Sequence, residues 1–230
     1  EFTQLAANNE KHGWKDVGTV SATVVKDDTA GCLNENNTNY IVIENTSPEQ
    51  AGIANTGFLD GMSVAQGANY KFSVYLKGMD GFTGPVQVDI MNGVNSVASG
   101  KIENITGEWK KYELTLTSSA SANANVTLQL TIGTGKVAAD MVSLFPEDTY
   151  KGRENGLRKD LAEKLEELHP AFLRFPGGCI VEGNTLENRY QWKNSIGRLE
   201  DRKNNWNRWA VHGNNKENNF VLEDLNTYGC

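Results

Sequence analysis

Four side chains have the chemistry that holds a sugar: Tyr75, Gln87, Asp89 and Gln129. An aromatic ring stacks on the C–H face of a pyranose or furanose, and amides and carboxylates bond its hydroxyls. All four fall at polar positions of alternating stretches, so they read either as the lining of a sugar cleft or as an ordinary solvated β face. Trp14 and Trp109 stand at segment edges, where a tryptophan serves as a plug or as a ligand platform. Arg174 lies between Leu173 and Phe175, an apolar setting in which a guanidinium must be paired. It is therefore a member of a structural ion pair or a fixed donor to substrate, and Glu182 is the candidate partner. Glu182 with Glu187, or Asp160 with Glu163, are the carboxylate pairs that acid–base work would need. Asp160 and Glu163 are also explained as solvated charge three residues apart on a helix. Cys179 has no histidine near it in sequence, and nothing marks it as a nucleophile.

The elements that must position these groups divide the chain. Tyr40–Glu44, Tyr70–Lys77, Val86–Met91, Trp109–Thr117, Val126–Ile132 and Met141–Phe145 are rich in β-branched and aromatic residues, with Gly, Asn, Asp and Ser between them. Tyr70, Phe72, Val74 and Leu76 share one face, as do Val86, Val88 and Ile90, and Val126, Leu128, Leu130 and Ile132. One apolar and one wet face, repeated with turns, predicts an antiparallel β-sandwich of jelly-roll-like form over residues 1–146. Residues 147–230 differ. Asn155 can cap a helix over 155–168, with Leu157, Leu161, Leu165 and Leu168 on one stripe, and Pro170 ends it. AFLRF then predicts a strand at 171–175, followed by the Pro176-Gly177-Gly178 turn. Helix, strand and glycine turn form one piece of an α/β unit. In a (β/α)8 barrel, Arg174 and this turn would sit at the strand end that lines the active site. Long loops with at most one helix are expected from Thr185 on.

Composition narrows the function. The chain has 230 residues, with 22 Lys and Arg against 29 Asp and Glu, a net charge of −7. Residues 1–145 carry nine Lys, no Arg and fifteen acidic residues, whereas 146–230 carry thirteen basic, seven of them Arg, against fourteen acidic. Such a balance has no basic stripe and argues against nucleic acid as a partner. No apolar run approaches the ~18 residues of a membrane span. Cys32, Cys179 and Cys230 are too few and too far apart for a disulfide framework or zinc knuckle. No cofactor is required by this pattern. A structural calcium is a candidate at Asp27-Asp28 and Asn34–Asn39, whose oxygens suit that ion, although such loops also simply make turns. The start, EFTQLAANNEKHGW, has no initiator Met, basic n-region or apolar h-region, and reads as a cut inside a larger protein.

The run DMVSLFP, then TYKGR with NGLR, then LRFPGG with VEG and NRYQWK, resembles glycoside hydrolase family 51, the α-L-arabinofuranosidases. GIANTGFLDGMSVAQGANYKFSVYLKG and GEWKKYELTLT are similar to the sugar-binding sandwich that some members carry inserted near the start of the barrel. The resemblance implies a retaining hydrolase with two barrel glutamates. It also implies a secreted or periplasmic parent. By the family's layout those glutamates map to no residue here. It implies that Arg174 helps shape an arabinose pocket, and Cys179 stands where many members have a substrate-contacting Asn. At about 135 residues for the sandwich, the remainder is near a third of a barrel. The expectation is therefore a binding module for plant cell-wall polysaccharide, xylan, arabinoxylan or β-glucan, followed by an incomplete α/β fragment. Two alternatives stay open. The chain is itself a hydrolase on arabinoxylan or glucan, or it is a structural or interaction module. Its oligomeric state is not legible.

Overall fold

The computed structural model describes residues 11, 13–26, 28–57, 61–174, 181, 186 and 189–202. It is mainly β. The strands are β1 (Trp14–Val17), β2 (Ser21–Val25), β3 (Tyr40–Asn45), β4 (Ala51–Asn55), β5 (Met62–Val64), β6 (Asn69–Met79), β7 (Val86–Asn92), β8 (Asn95–Ile102), β9 (Lys110–Thr117), β10 (Ala122–Ile132) and β11 (Gly135–Pro146). The helix α1 (Lys159–Glu167) follows, with short 3-10 turns at Tyr150–Gly152, Trp192–Ser195 and Leu199–Asp201.

The strands form two sheets. The first has the order β1-β4-β10-β7-β8, with β5 also paired to β10, and the second has the order β2-β3-β11-β6-β9. The six stretches read from alternation are β3, β6, β7, β9, β10 and the end of β11. Their apolar residues fill the core: Phe72, Val74, Leu76, Val88, Ile90, Val126 and Leu130 are essentially inaccessible. The two sheets meet closely where β8 faces β9. A Cβ on Gly100 of β8 would come within 3.0 Å of the side chains of Leu114 and Leu116 of β9. The expected antiparallel β-sandwich is thus observed.

By contact, the chain divides into two compact units. One is Gly13–Val25 with Ile41–Pro170; the other is Glu1–His12, Lys26–Tyr40 and Ala171–Cys230. This differs from a division at 146/147. The helix belongs with the sandwich, and an early loop belongs with the late segment. In the second unit, the Asn34 and Asn37 side-chain amides donate to the Glu200 carbonyl at 2.7 and 2.5 Å, and Asn36 donates to the Asp201 carbonyl at 2.9 Å. These bonds span more than 160 residues of sequence, which no local pattern reveals.

Two expected elements are corrected. The helix begins at Lys159, with Arg158 at its N-cap, and not at 155. Asn155 is left-handed (φ 48°), the Tyr150 N–H donates to the Leu157 carbonyl, and Thr149 bridges Arg158. That paired loop occupies the backbone until residue 158. Residues 171–174 form no strand, and Phe172, Leu173 and Arg174 are exposed. A strand needs a paired neighbour for its backbone groups, and none stands beside these residues among those described.

Candidate functional site

The first sheet builds a polar face. In β7, burial of Val86, Val88 and Ile90 forces Gln87, Asp89 and Met91 outward. Register then lines up their neighbours. Gln129 of β10 stands opposite Asp89, and Asp89 opposite Ser99 of β8. The next row is Thr131, Gln87 and Lys101. The Gln87 amide donates to Ser99 Oγ at 2.6 Å and approaches Asp89 Oδ1 at 3.4 Å, while the Ser96 hydroxyl donates to the same Asp89 oxygen at 2.8 Å. Thr131 donates to Gln50 Oε1 at 2.9 Å. On the other side of Gln129 stands Ala54, and beyond it Lys15 of β1. The face therefore offers fixed acceptors and donors for hydroxyl groups, and no aromatic ring stands in these rows.

Tyr75 is not part of this face. It lies on β6 of the second sheet, with Asp140 of β11 and Lys111 of β9 as register neighbours. Alternation places residues on faces but does not say which sheet a strand joins, so the sequence grouped four residues of which the fold unites three. Asp140 is fully buried, and its Oδ1 accepts the Met141 N–H at 2.7 Å, where a left-handed Met141 marks an irregularity in β11. Trp14 pairs with Asn55 in the row that continues to Leu128 and Ile90, on the core-facing side of an edge strand. It too stands apart from Gln129. Arg174 is exposed rather than enclosed, and Glu182, Glu187, Cys179, Cys230 and Asp27 lie outside the described residues.

Asp28 and the asparagines that suggested calcium are engaged locally. Asp28 Oδ1 accepts the Ala30 and Gly31 N–H groups, Asp28 Oδ2 accepts the Tyr40 hydroxyl at 2.7 Å, and Asn34 Oδ1 accepts the N–H groups of Asn36 and Asn37. Among the described residues no three His, Cys, Asp or Glu side chains gather as a metal site. Asp160 receives two bonds from the Arg158 guanidinium, at 2.7 and 2.8 Å, which hold its carboxyl below the usual range. A general acid needs the opposite shift. Glu166 is likewise held low, by a bond from Lys151. Sequence reading missed Ser96, Ser99 and Gln50, because β8 and β4 carry too much Ser, Gly and Ala to show a strand signal.

A family model described as a carbohydrate binding domain matches residues 7–140, more than half of the chain, and one described as the alpha-L-arabinofuranosidase 1 domain matches 164–227. The polar face lies wholly within the first match. An arabinose-bound family 51 α-L-arabinofuranosidase structure superposes with a TM-score of 0.77 at 30 % identity, covering 87 % of this chain and 34 % of that one. The chain belongs to glycoside hydrolase family 51, with a carbohydrate-binding sandwich. Similar proteins include an extracellular exo-α-L-arabinofuranosidase of Streptomyces chartreusis, 39 % identical over 195 residues (80 % of this chain, 22 % of that protein). α-L-Arabinofuranosidase 1 of Arabidopsis thaliana is 32 % identical over 212 residues, 87 % of this chain and 31 % of that protein. The chain thus spans between about a fifth and a third of the length of these family members. No helix among the described residues is long and apolar enough to cross a membrane.

Proposed function

We propose that this chain binds plant cell-wall polysaccharide, xylan or arabinoxylan or a β-glucan, on the outer face of the β1-β4-β10-β7-β8 sheet. The observation that supports this best is the Gln129–Asp89–Ser99 row with Gln87 beside it, inside the residues matched by the carbohydrate-binding domain. Each hydroxyl bond made in water is worth only ~1 kcal/mol. Affinity must therefore come from several in register along an extended glycan, which a cross-strand row provides. The binding is weak and involves no covalent step. Cleavage of arabinofuranosyl groups is the activity we propose for the whole family 51 protein, acting outside the cell. Asp160, held ionised by Arg158, supplies no general acid for a hydrolysis by this segment alone.

Calorimetry with xylan, arabinoxylan and cello-oligosaccharides tests the reading. Gln129→Ala and Asp89→Ala are each expected to weaken binding about fivefold, the equivalent of one lost hydrogen bond. Silence from every glycan, with the protein folded, would remove it.

A further inference from the structure

A second site lies at one end of the other sheet. Glu44 of β3, Lys136 of β11 and Met79 of β6 stand in one cross-strand row. Lys136 Nζ is 3.3 Å from Glu44 Oε2 and 4.0 Å from Asp80 Oδ2. After this row the chain reverses through Asp80 (φ 53°) and Gly81 (φ 82°), and the Phe82 N–H closes the turn on the Met79 carbonyl at 2.9 Å. Two consecutive left-handed residues make this a type I′ turn, in which Asp-Gly is a preferred pair. The turn carries Phe82 back over the short connection from β10 to β11. There its ring fills the space a Cβ on Gly135 would need. The ring is pinned against that glycine, yet it remains partly exposed and walls a groove of about 420 Å³. Thr46 and Thr134 add hydroxyls to the same wall.

We infer that this groove is a second glycan-binding subsite, taking one or two neutral pentose or hexose units. The volume is within the range of small-molecule sites. A fixed ring supplies the stacking surface that the Gln129 face lacks. Glu44 and Asp80 accept hydroxyl protons, and Lys136 donates to ring or hydroxyl oxygens. These three charges sum to −1, so uronic acids are disfavoured against neutral sugars. Held by two separated sites, one glycan would be retained more strongly than by either alone.

Amide chemical-shift mapping of the whole chain, titrated with xylotriose, arabinotriose and cellotriose, tests this. The expected result is shifts at Glu44–Thr46, Asp80–Gly84 and Thr134–Lys136 with at least one of these trisaccharides. Those shifts should persist in Gln129→Ala and vanish in Phe82→Ala. Phe82→Tyr should retain them. Should Phe82→Ala fail to fold, Asp80→Asn at an exposed position and Lys136→Gln at a half-buried one decide, each expected to weaken this set at least threefold. Shifts confined to the Gln129 face, or none with any trisaccharide, overturn the subsite. A trigalacturonate that binds the groove as tightly as the neutral sugars overturns its preference.

Discussion

In β6, Phe72, Val74 and Leu76 are at most 1 % exposed, whereas on α1 Leu161 and Leu165 are 55 and 60 % exposed. Both segments belong to the same compact unit, and each sets apolar side chains along one face. The difference lies in who supplies the partner surface. Each sheet of the sandwich meets the inner face of the other, so alternation along a strand turns directly into burial. The helix packs on the Tyr150–Gly152 turn, and its leucine stripe gains no comparable cover. Exposed charge pairs tie α1 to the segment before it, Lys151 to Glu166 and Lys159 to Asp148, and a third, Lys164 to Glu167, lies within the helix. Pairs of that kind are weak in water and screened by salt.

The largest effect should come from the core. Phe72→Ala removes a fully buried ring and is expected to cost ~3–5 kcal/mol, read from the urea midpoint of a strand-reporting signal. Leu161→Ala on α1 should stay within ~0.5 kcal/mol. Equal costs would break the comparison, by showing that the helix stripe is covered in solution.

The loop that joins Asn34–Asn37 to Glu200 and Asp201 offers a second, smaller contrast. Here stability rests on side-chain amides capping carbonyls and not on apolar area. Asn37 is buried, so Asn37→Ala removes one of the two amide donors to the Glu200 carbonyl, leaving that of Asn34, and is expected to cost ~1 kcal/mol within this unit. Hydrogen exchange should quicken at Asn36, Asn37 and 199–202 and stay unchanged in β6, β7 and β10. Quickening in the sandwich as well would mean that the two units open together.

What was legible in the sequence follows the same physics. β6, β7 and β10 could be read because each has one buried and one wet face, which writes a period of two into the residues. β4, AGIAN, is buried on nearly every residue, so it shows no period, and β8, NSVASGKI, buries Val97 and Ala98 side by side, which interrupts the alternation. Gln87, Asp89 and Gln129 were found together because their strands are neighbours in one sheet. Tyr75 was grouped with them wrongly, since the same alternation recurs on a strand of the other sheet. Helix start signals misled at Asn155, where the Thr149–Arg158 bridge fixes the backbone in another form. The groove beside Phe82 was written as Met79-Asp80-Gly81-Phe82, a hairpin signal whose consequence for the ring depends on Gly135, 53 residues further on. A turn type is local, but the partner that pins a side chain is not.

The finest distinction concerns Tyr40, whose phenol donates to the carboxylate of Asp28, whereas the Tyr70 phenol of β6 accepts a backbone N–H from Ala65. Burial first, and then the bond to Asp28 and that residue's negative charge, push the Tyr40 hydroxyl from 10.0 up to about 12. The folded protein holds this proton more tightly than the unfolded chain does. Its stabilising contribution is therefore complete below pH 10 and is lost as pH rises from there through about 12. Near-ultraviolet titration of the wild type against Tyr40→Phe should isolate one phenol ionising about two pH units late. At neutral pH, Tyr40→Phe should cost ~1 kcal/mol for the lost bond, and this difference should shrink across the alkaline window. Asp28→Asn separates the causes. It removes the charge but not the burial, so the late ionisation should return only part of the way toward 10. A full return would mean that the carboxylate, and not burial, sets the shift.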